Sequence, residues 1–160
     1  MRLTVFASAA LLALGLPIAT FAAGGGADPP KPTAVAPAVP ADPNFAQAKA
    51  MIEARNYPPA IPLLQQVVQR DPRNADAYNL LGFATRASGN PQGSLQYYQQ
   101  ALAIDPKHLG AHEYLGELYV ETGNMEKAKE QLAVLAKLCP GGCEEREDLQ
   151  KAINAKSASN

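Results

Sequence analysis

Two cysteines, Cys139 and Cys143, are the residues of this sequence with the most distinctive chemistry, and the chain has no others. Two glycines stand between them, and glycine tolerates the positive backbone angles of a tight reversal, so the two sulfurs can meet. If the chain is exported, as the N-terminal residues discussed below predict, a single pair of cysteines at this spacing favours a disulfide. Closing so small a loop stabilises the fold by only about 2 kcal/mol in a chain-entropy argument. We therefore expect a structural role, in which the disulfide fixes the direction of the following segment.

Two other interpretations of these cysteines stay open. A CxxxC pair can bind copper or zinc, and His108 and His112 are one helical turn apart, a spacing that lets two imidazoles share an ion. The alternative metal set is therefore His108, His112, Cys139 and Cys143, although a packed histidine is the ordinary outcome at position 112. A redox-active dithiol is the third interpretation, but the usual catalytic spacing has two intervening residues rather than three.

Three glutamates, Glu113, Glu117 and Glu121, recur at every fourth position, so on a helix their side chains lie along one face and repel weakly. Such a row is either a solvated face or a site for a basic segment of a partner. The sequence shows no Ser/His/Asp order, no glycine-rich phosphate loop and no isolated carboxylate pair. We therefore predict that the protein is not an enzyme and has no cofactor.

The N-terminal part of the chain predicts export rather than a folded core. Residues 1–22 combine Arg2, an apolar run and small residues near Ala22, a pattern typical of a secretory signal peptide; an uncleaved anchor is the alternative. The run is short for a membrane span, so we expect no span after cleavage and a periplasmic or secreted location. Residues 23–43 are rich in Pro, Ala and Gly and predict a disordered linker.

The rest of the chain has the length of one domain and a nearly neutral charge. The formal net charge of the full sequence is -1, and no basic patch suggests a nucleic-acid partner. Within this part the sequence repeats itself at a constant interval, as Pro72, Pro106 and Pro140 show. The other matching positions are Leu81-Gly82 with Leu115-Gly116 and Gly89-Asn90 with Gly123-Asn124.

A unit of this length with an aromatic residue, Leu-Gly, Gly-Asn, a second aromatic residue, Ala and Pro resembles the tetratricopeptide repeat. The resemblance implies an all-α solenoid of helical hairpins within residues 44–155. We place the repeats at about residues 41–74, 75–108 and 109–142, the turns at Arg55-Asn56, Gly89-Asn90 and Gly123-Asn124, a capping helix at 144–155 and a frayed tail at 156–160. The first repeat departs from the pattern, because Asn44, Gln47 and Ala48 replace the aromatic residue and Leu-Gly; degenerate end repeats are expected in a stack.

The family's inward-facing positions imply a concave groove lined by the first helix of each hairpin. Carried onto this sequence, they are Phe45, Lys49 and Ile52, then Asn79, Phe83 and Arg86, then Glu113, Glu117 and Val120, with Glu121 extending an acidic end. Phe83 and the glutamates do not match the family's carboxylate clamp. The implied function is a protein interaction scaffold or adaptor in the cell envelope that binds an unidentified peptide or protein. The alternatives are a metal-handling or thiol-redox protein using the CPGGC segment, and self-association through an apolar end.

Overall fold

The computed structural model describes residues 42–158, so the predicted signal peptide and nearly all of the predicted linker lie outside the described residues. Residues 42–158 form seven α-helices and no strand. The helices are α1 Pro43–Glu53, α2 Tyr57–Arg70, α3 Ala75–Ala87, α4 Pro91–Ile104, α5 Leu109–Glu121, α6 Met125–Leu138 and α7 Glu144–Ala158. None of these helices is long and apolar enough to cross a membrane. The predicted all-α fold is confirmed.

Consecutive helices pack as three hairpins, α1 with α2, α3 with α4 and α5 with α6, and α7 packs against α5 and α6. This is the predicted arrangement of three repeats and a cap. One predicted bound is wrong, because Pro43 belongs to α1 rather than to the linker. Proline suits the first turn of a helix, where no backbone donor is needed. Asp42 caps this turn by accepting a hydrogen bond of 2.8 Å from the N–H of Asn44.

The turn inside each hairpin is the same structure, found at the same position of each repeat. Arg55, Gly89 and Gly123 have φ angles of 58°, 89° and 80°, so each helix ends in a left-handed residue. The next residue is always asparagine, and its N–H donates back to the helix, as Asn90 does to the carbonyl of Thr85 at 3.1 Å. The Asn90 side chain then caps α4 by accepting from Gly93 at 2.9 Å. In the second and third hairpins one asparagine therefore ends one helix and caps the next, whereas Asn56 makes no side-chain capping hydrogen bond.

Close approach of helices inside the stack depends on residues without bulk. In the second hairpin a Cβ at Gly82 would lie 2.7 Å from the Tyr98 ring, so the ring fills the space left by the glycine. In the first hairpin the equivalent positions are Ala48 and Leu64, both fully buried in one core cluster. A smaller partner residue leaves room for the alanine, which explains how this repeat keeps the fold without the Leu-Gly pattern.

The last helix seals the open end of the third hairpin. Leu149 occupies the space at Gly116, where a Cβ would collide with it, and Leu149 and Ile153 belong to the C-terminal core cluster. The expected end of this helix at Ala155 and the expected frayed tail are wrong for residues 156–158, which are helical. No proline or glycine interrupts this stretch, and the hydroxyl of Ser157 donates to the carbonyl of Ile153 at 2.9 Å.

Candidate functional site

The first helices of the three hairpins line one face of the stack, which we call the inner face. One hollow of about 200 Å³ lies between α1 and α3, and we call it the α1/α3 hollow. Its lining residues are Phe45, Lys49, Asp76, Asn79 and Leu80. A second cavity of about 280 Å³ lies where α3, α5 and α7 meet, and Asn79 and Leu80 line it too. The two cavities are neighbours, because Asn79 and Leu80 line both of them, and their linings include residues of all three hairpins.

We call the second cavity the acidic pocket, because carboxylates line its side opposite Asn79. Its other lining residues are Gly110, Glu113, Tyr114, Glu144, Glu145 and Asp148. Of the predicted groove residues, Asn79 and Glu113 lie in this pocket, whereas Phe45 and Lys49 lie in the α1/α3 hollow. Ile52 packs against the core cluster that contains Ala48 and Leu64 instead.

Arg86 occupies the centre of the predicted groove, and its charge is already paired. Its Nη2 lies 2.5 Å from Oε2 of Glu117, and its Nη1 lies 4.0 Å from Oε2 of Glu121. The guanidinium carbon lies 6.0 Å and 5.9 Å from the ring centroids of Phe83 and Tyr114, a separation at which a cation is attracted to the ring face. Two of the three glutamates of the predicted acidic row are therefore bound to Arg86.

Phe83 forms the aromatic part of the inner face. Its ring contacts Tyr57 of α2 at 5.7 Å and Tyr114 of α5 at 4.9 Å between centroids. Tyr114 also contacts Tyr98 at 6.3 Å. These contacts join the three hairpins, so Phe83 stabilises the stack as well as lining its inner face.

The placement of Val120 in the groove is wrong. Its side chain is only 8% exposed, and it packs in the C-terminal core cluster with Leu149 and Ile153 of α7. In a longer stack the next repeat would leave this position on the inner face. Here the cap helix covers it, and the groove ends at Glu117 and Glu121.

Glu113 has the least ordinary environment of the acidic residues. It is 9% exposed, and no ion pair between described residues involves it. Burial raises its pKa to about 8, with further contributions from the negative charges of Glu117, Asp148 and Glu145. The pocket thus holds a carboxyl group that is costly to ionise in the absence of a positive partner.

Asn79 lines the same pocket from α3. It is 6% exposed, and its Oδ1 is buried without a hydrogen-bond partner. A Cβ atom added at Gly110 would lie 3.2 Å from Nδ2 of Asn79. The absence of a side chain at Gly110 therefore leaves space beside the Asn79 amide. A buried amide oxygen without a partner is unusual in a folded protein; Thr85 Oγ1 and Tyr98 Oη are also buried without partners.

Sequence reasoning missed the contribution of the cap helix to this site. Glu144, Glu145 and Asp148 line the pocket, although their pattern indicates only a favourable interaction with the helix dipole. The run EEREDL signals an acidic first turn. Only the packing of α7 against α5 brings that turn beside Glu113.

The cysteines and histidines do not meet in one site. Cys139 and Cys143 form a disulfide, with their Cα atoms 6.0 Å apart. The alternative metal set is not assembled, because both histidines have other partners. Nδ1 of His108 accepts from the N–H of Ala111 at 3.1 Å, and its Nε2 lies 3.0 Å from Asp76. Among residues 42–158 no group of three or more His, Cys, Asp or Glu is arranged to hold a metal ion.

His112 is the packed histidine expected at the aromatic position of the third repeat. It is buried, and both ring nitrogens have partners on neighbouring segments. Nδ1 lies 2.7 Å from the Gln131 side chain, and Nε2 donates to the carbonyl of Pro106 at 3.0 Å. The imidazole therefore joins α5 to α6 and to the preceding turn.

Comparison with known proteins bears directly on the repeats. Two family models described as tetratricopeptide repeat match the chain, one over residues 45–108 and the other over residues 85–141. Together they cover the three hairpins. The chain belongs to the tetratricopeptide repeat family. The predicted resemblance is confirmed.

Two relatives match parts of this chain. The TPR repeat-containing thioredoxin TTL4 of Arabidopsis thaliana is 29% identical over 101 residues, which are 63% of this chain and 14% of that protein. The protein ycf37 of Pyropia yezoensis is 34% identical over 55 residues, which are 34% of this chain and 31% of that protein. The chain thus spans less than a third of either relative.

Solved structures show the same fold. MamA of Desulfovibrio magneticus RS-1 matches with a TM-score of 0.59 and 26% identity, over 61% of this chain and 55% of that chain. The translocator chaperone SycD of Yersinia enterocolitica, in complex with a peptide of YopD, matches with a TM-score of 0.64 and 17% identity, over 72% of this chain and 91% of that one. PcrH, in complex with the chaperone binding region of PopD, has a TM-score of 0.62 and 17% identity, over 72% of this chain and 90% of that chain.

Proposed function

We propose that this protein is an exported interaction module that binds an extended segment of a partner protein along its inner face. The observation that carries the proposal is the pair of neighbouring cavities, the α1/α3 hollow and the acidic pocket, which share Asn79 and Leu80. Two neighbouring cavities that are lined from three hairpins suit an extended chain better than a compact small molecule. Their mixture of apolar, basic and acidic side chains gives such a segment both contact area and polarity.

The comparisons support binding rather than catalysis. Tetratricopeptide repeats build interaction surfaces from stacked hairpins, and two structures with this fold hold a peptide or a binding region of another protein. The likeness to those two concerns the fold, so the partner is not carried over. We propose a scaffold or adaptor without enzymatic activity, whose partner is selected by the side chains of the inner face.

The exported location is part of the proposal and rests on the signal-peptide pattern of residues 1–22. Intact-mass measurement of the protein from an exporting host tests it together with the disulfide. We expect a chain that begins near Ala22 or Ala23 and whose mass rises by two hydrogens on reduction. A chain that retains Met1 in the membrane fraction would contradict the proposed export as a free protein.

The binding surface can be tested by selecting, from a displayed library of random peptides, those that bind the folded protein. The affinity of each selected peptide is then measured for the wild type and for the Leu80→Arg variant, in which a bulky charged side chain stands at a position that lines both cavities. Gln96→Arg on α4 adds the same charge at an exposed position and is the matched control. We expect at least about a tenfold loss of affinity for Leu80→Arg, equivalent to about 1.4 kcal/mol, and none for the control.

A second variant separates lost binding from lost folding. Lys49 is exposed and lines the α1/α3 hollow, so Lys49→Glu changes the charge of the surface without altering the core. Lys137→Glu on α6 is its control. Peptides that bind both inner-face variants as tightly as the wild type would show that the inner face is not the binding surface.

A further inference from the structure

We propose that the acidic pocket is the receptor for a basic side chain, arginine or lysine, of the bound partner segment. The inference rests on the proposed function and names the chemistry that one part of the inner face recognises. It places the cationic residue of the partner in the cavity beside α5 and α7. Of the acidic row predicted from the sequence, only Glu113 belongs to this pocket, and the other carboxylates of the pocket come from α7.

The charge of the pocket is largely unpaired. No ion pair between described residues involves Glu113, Glu144 or Glu145. Asp148 is paired at 2.8 Å with Lys151, a residue of its own helix that is exposed. Arg86, the basic residue at the centre of the inner face, is engaged by Glu117 and Glu121. The negative potential of the pocket is therefore available to a cation from outside the chain.

A second observation, independent of the acidic cluster, also points to a ligand. Asn79 and Glu113 are both more than nine-tenths buried, and both line the pocket. Oδ1 of Asn79 has no hydrogen-bond partner. Buried polar groups without partners are costly, and a donor that reaches the Asn79 amide oxygen or the Glu113 carboxyl lowers that cost. An ammonium or guanidinium group supplies several N–H donors and a positive charge at once.

The geometry favours a side chain over a bare metal ion. The described carboxylates are not grouped as metal ligands, and they come from different helices around a cavity of about 280 Å³. A cavity of this size leaves room for a group with donors pointing in several directions. Tyr114 also lines the pocket, and an aromatic side chain favours a neighbouring cation. The pocket shares Asn79 and Leu80 with the α1/α3 hollow, so the rest of the partner segment can extend into that hollow.

The first test uses small probes and the folded, isotope-labelled protein. N-acetyl-arginine amide and N-acetyl-lysine amide are titrated while the NMR signals of Gly110, Glu113 and the Asn79 side-chain amide are followed. N-acetyl-citrulline amide, which has the shape of the arginine probe without its charge, is the matched control. We expect saturable shifts of these signals with the two cationic probes. Equal shifts with the citrulline probe would overturn the inference.

Variants of the pocket give the second test. Glu145→Gln removes a negative charge, and Glu113→Gln removes the carboxyl group that can ionise when a cation binds beside it. Both substitutions keep the shape of the side chain, so both variants are expected to fold. We expect each to weaken binding of the arginine probe at least about threefold, as for the loss of one charge from a partly buried pair. Glu130→Gln removes an exposed charge on α6 and should leave binding unchanged. Unchanged binding to Glu113→Gln would overturn the inference.

The peptides selected from the random library can show whether this inference alone fails or the proposed function fails as well. Each peptide that depends on the inner face is remade with citrulline for arginine and Nε-acetyl-lysine for lysine. If the remade peptides bind as tightly and still lose affinity on Leu80→Arg, the pocket inference fails and the proposed function stands. If no peptide depends on the inner face, the proposed function itself fails, and the display shows this before any replacement is made.

Discussion

Arg86 of α3 and Glu117 of α5 form an ion pair between consecutive hairpins, with Nη2 and Oε2 2.5 Å apart. Their side chains are 14% and 26% exposed, so the pair is partly shielded from water. The pair lies between the aromatic contacts of the inner face and the acidic pocket. It holds two hairpins in register and neutralises the central part of the glutamate row.

A double-mutant cycle should reveal this pair in the stability of the stack. We expect Arg86→Met and Glu117→Gln to show a coupling free energy of about 1–3 kcal/mol in urea unfolding, since both groups are substantially desolvated. The exposed pair of Lys151 and Asp148 is the control cycle and should show no measurable coupling. Equal coupling in the two cycles would contradict a structural role for Arg86.

The first hairpin suggests how the second can be repacked. Gly82→Ala should destabilise the protein by about 1–3 kcal/mol, because the new methyl group overlaps the Tyr98 ring. Adding Tyr98→Leu recreates the pairing of Ala48 with Leu64 in the first hairpin. We expect the free energy of unfolding of the double variant to exceed, by about 1 kcal/mol, the value obtained by adding the effects of the two single substitutions. Thermal unfolding measures all three variants, and strict additivity would show that the two positions do not compete for space.

The raised pKa of Glu113 makes a specific prediction for the pH dependence of stability. Between its ordinary pKa of about 4.3 and its folded pKa of about 8, the folded protein keeps a proton that the unfolded chain has released. The folded state therefore binds more protons in this range, and stability falls as the pH rises. Below this pH range the Glu113 carboxyl is protonated in both the folded and the unfolded state. Above it the carboxyl is ionised in both states, and the folded protein is destabilised by the full free energy of ionising a buried group.

Glu113→Gln should remove this part of the pH dependence, because the amide does not titrate. The stability advantage of the variant over the wild type should grow by at least about 1 kcal/mol between about pH 5 and about pH 8, since one pKa unit corresponds to about 1.4 kcal/mol. Urea unfolding at several pH values measures it, with Glu130→Gln as the control. A constant difference across the range would show that Glu113 titrates normally.

Arg55 offers a stabilising substitution. It is the non-glycine residue of the described chain with a positive φ, at 58°, and glycine occupies both equivalent positions, 89 and 123. Arg55→Gly relieves backbone strain, partly offset by the larger freedom of the unfolded chain, so we expect a gain of about 0.5–1 kcal/mol. Arg55→Ala keeps the strain and should give no gain. A lower melting temperature for Arg55→Gly than for Arg55→Ala would contradict this account.

The repeats made most of the fold predictable. The constant interval between Pro72, Pro106 and Pro140 marks units that are encoded locally, since the glycine that ends a helix and the asparagine that begins the next are adjacent in sequence. The same holds for the close approach at Gly82, which requires a small residue whatever the partner. The errors at Pro43 and at residues 156–158 concern helix ends, where local signals are weakest.

The candidate site was only partly predictable, because it depends on contacts between distant segments. The spacing of the glutamates places Glu113, Glu117 and Glu121 on one helix face, but it does not reveal that Arg86 pairs with the last two. In the same way, an acidic first turn in α7 has a sufficient local explanation. Its position beside Glu113 follows from the packing of the cap, which also buries Val120.

The acidic pocket exists only while α7 is packed against the third hairpin. In a repeat array each element contacts only its neighbours, and α7 packs against α5 and α6 alone among the described helices. We expect such a helix to open at a lower free energy than the whole domain. Three of the pocket carboxylates belong to α7, so each opening would separate them from Glu113 while the hairpins stay folded. Amide hydrogen exchange along α7 would therefore report the lifetime of the pocket.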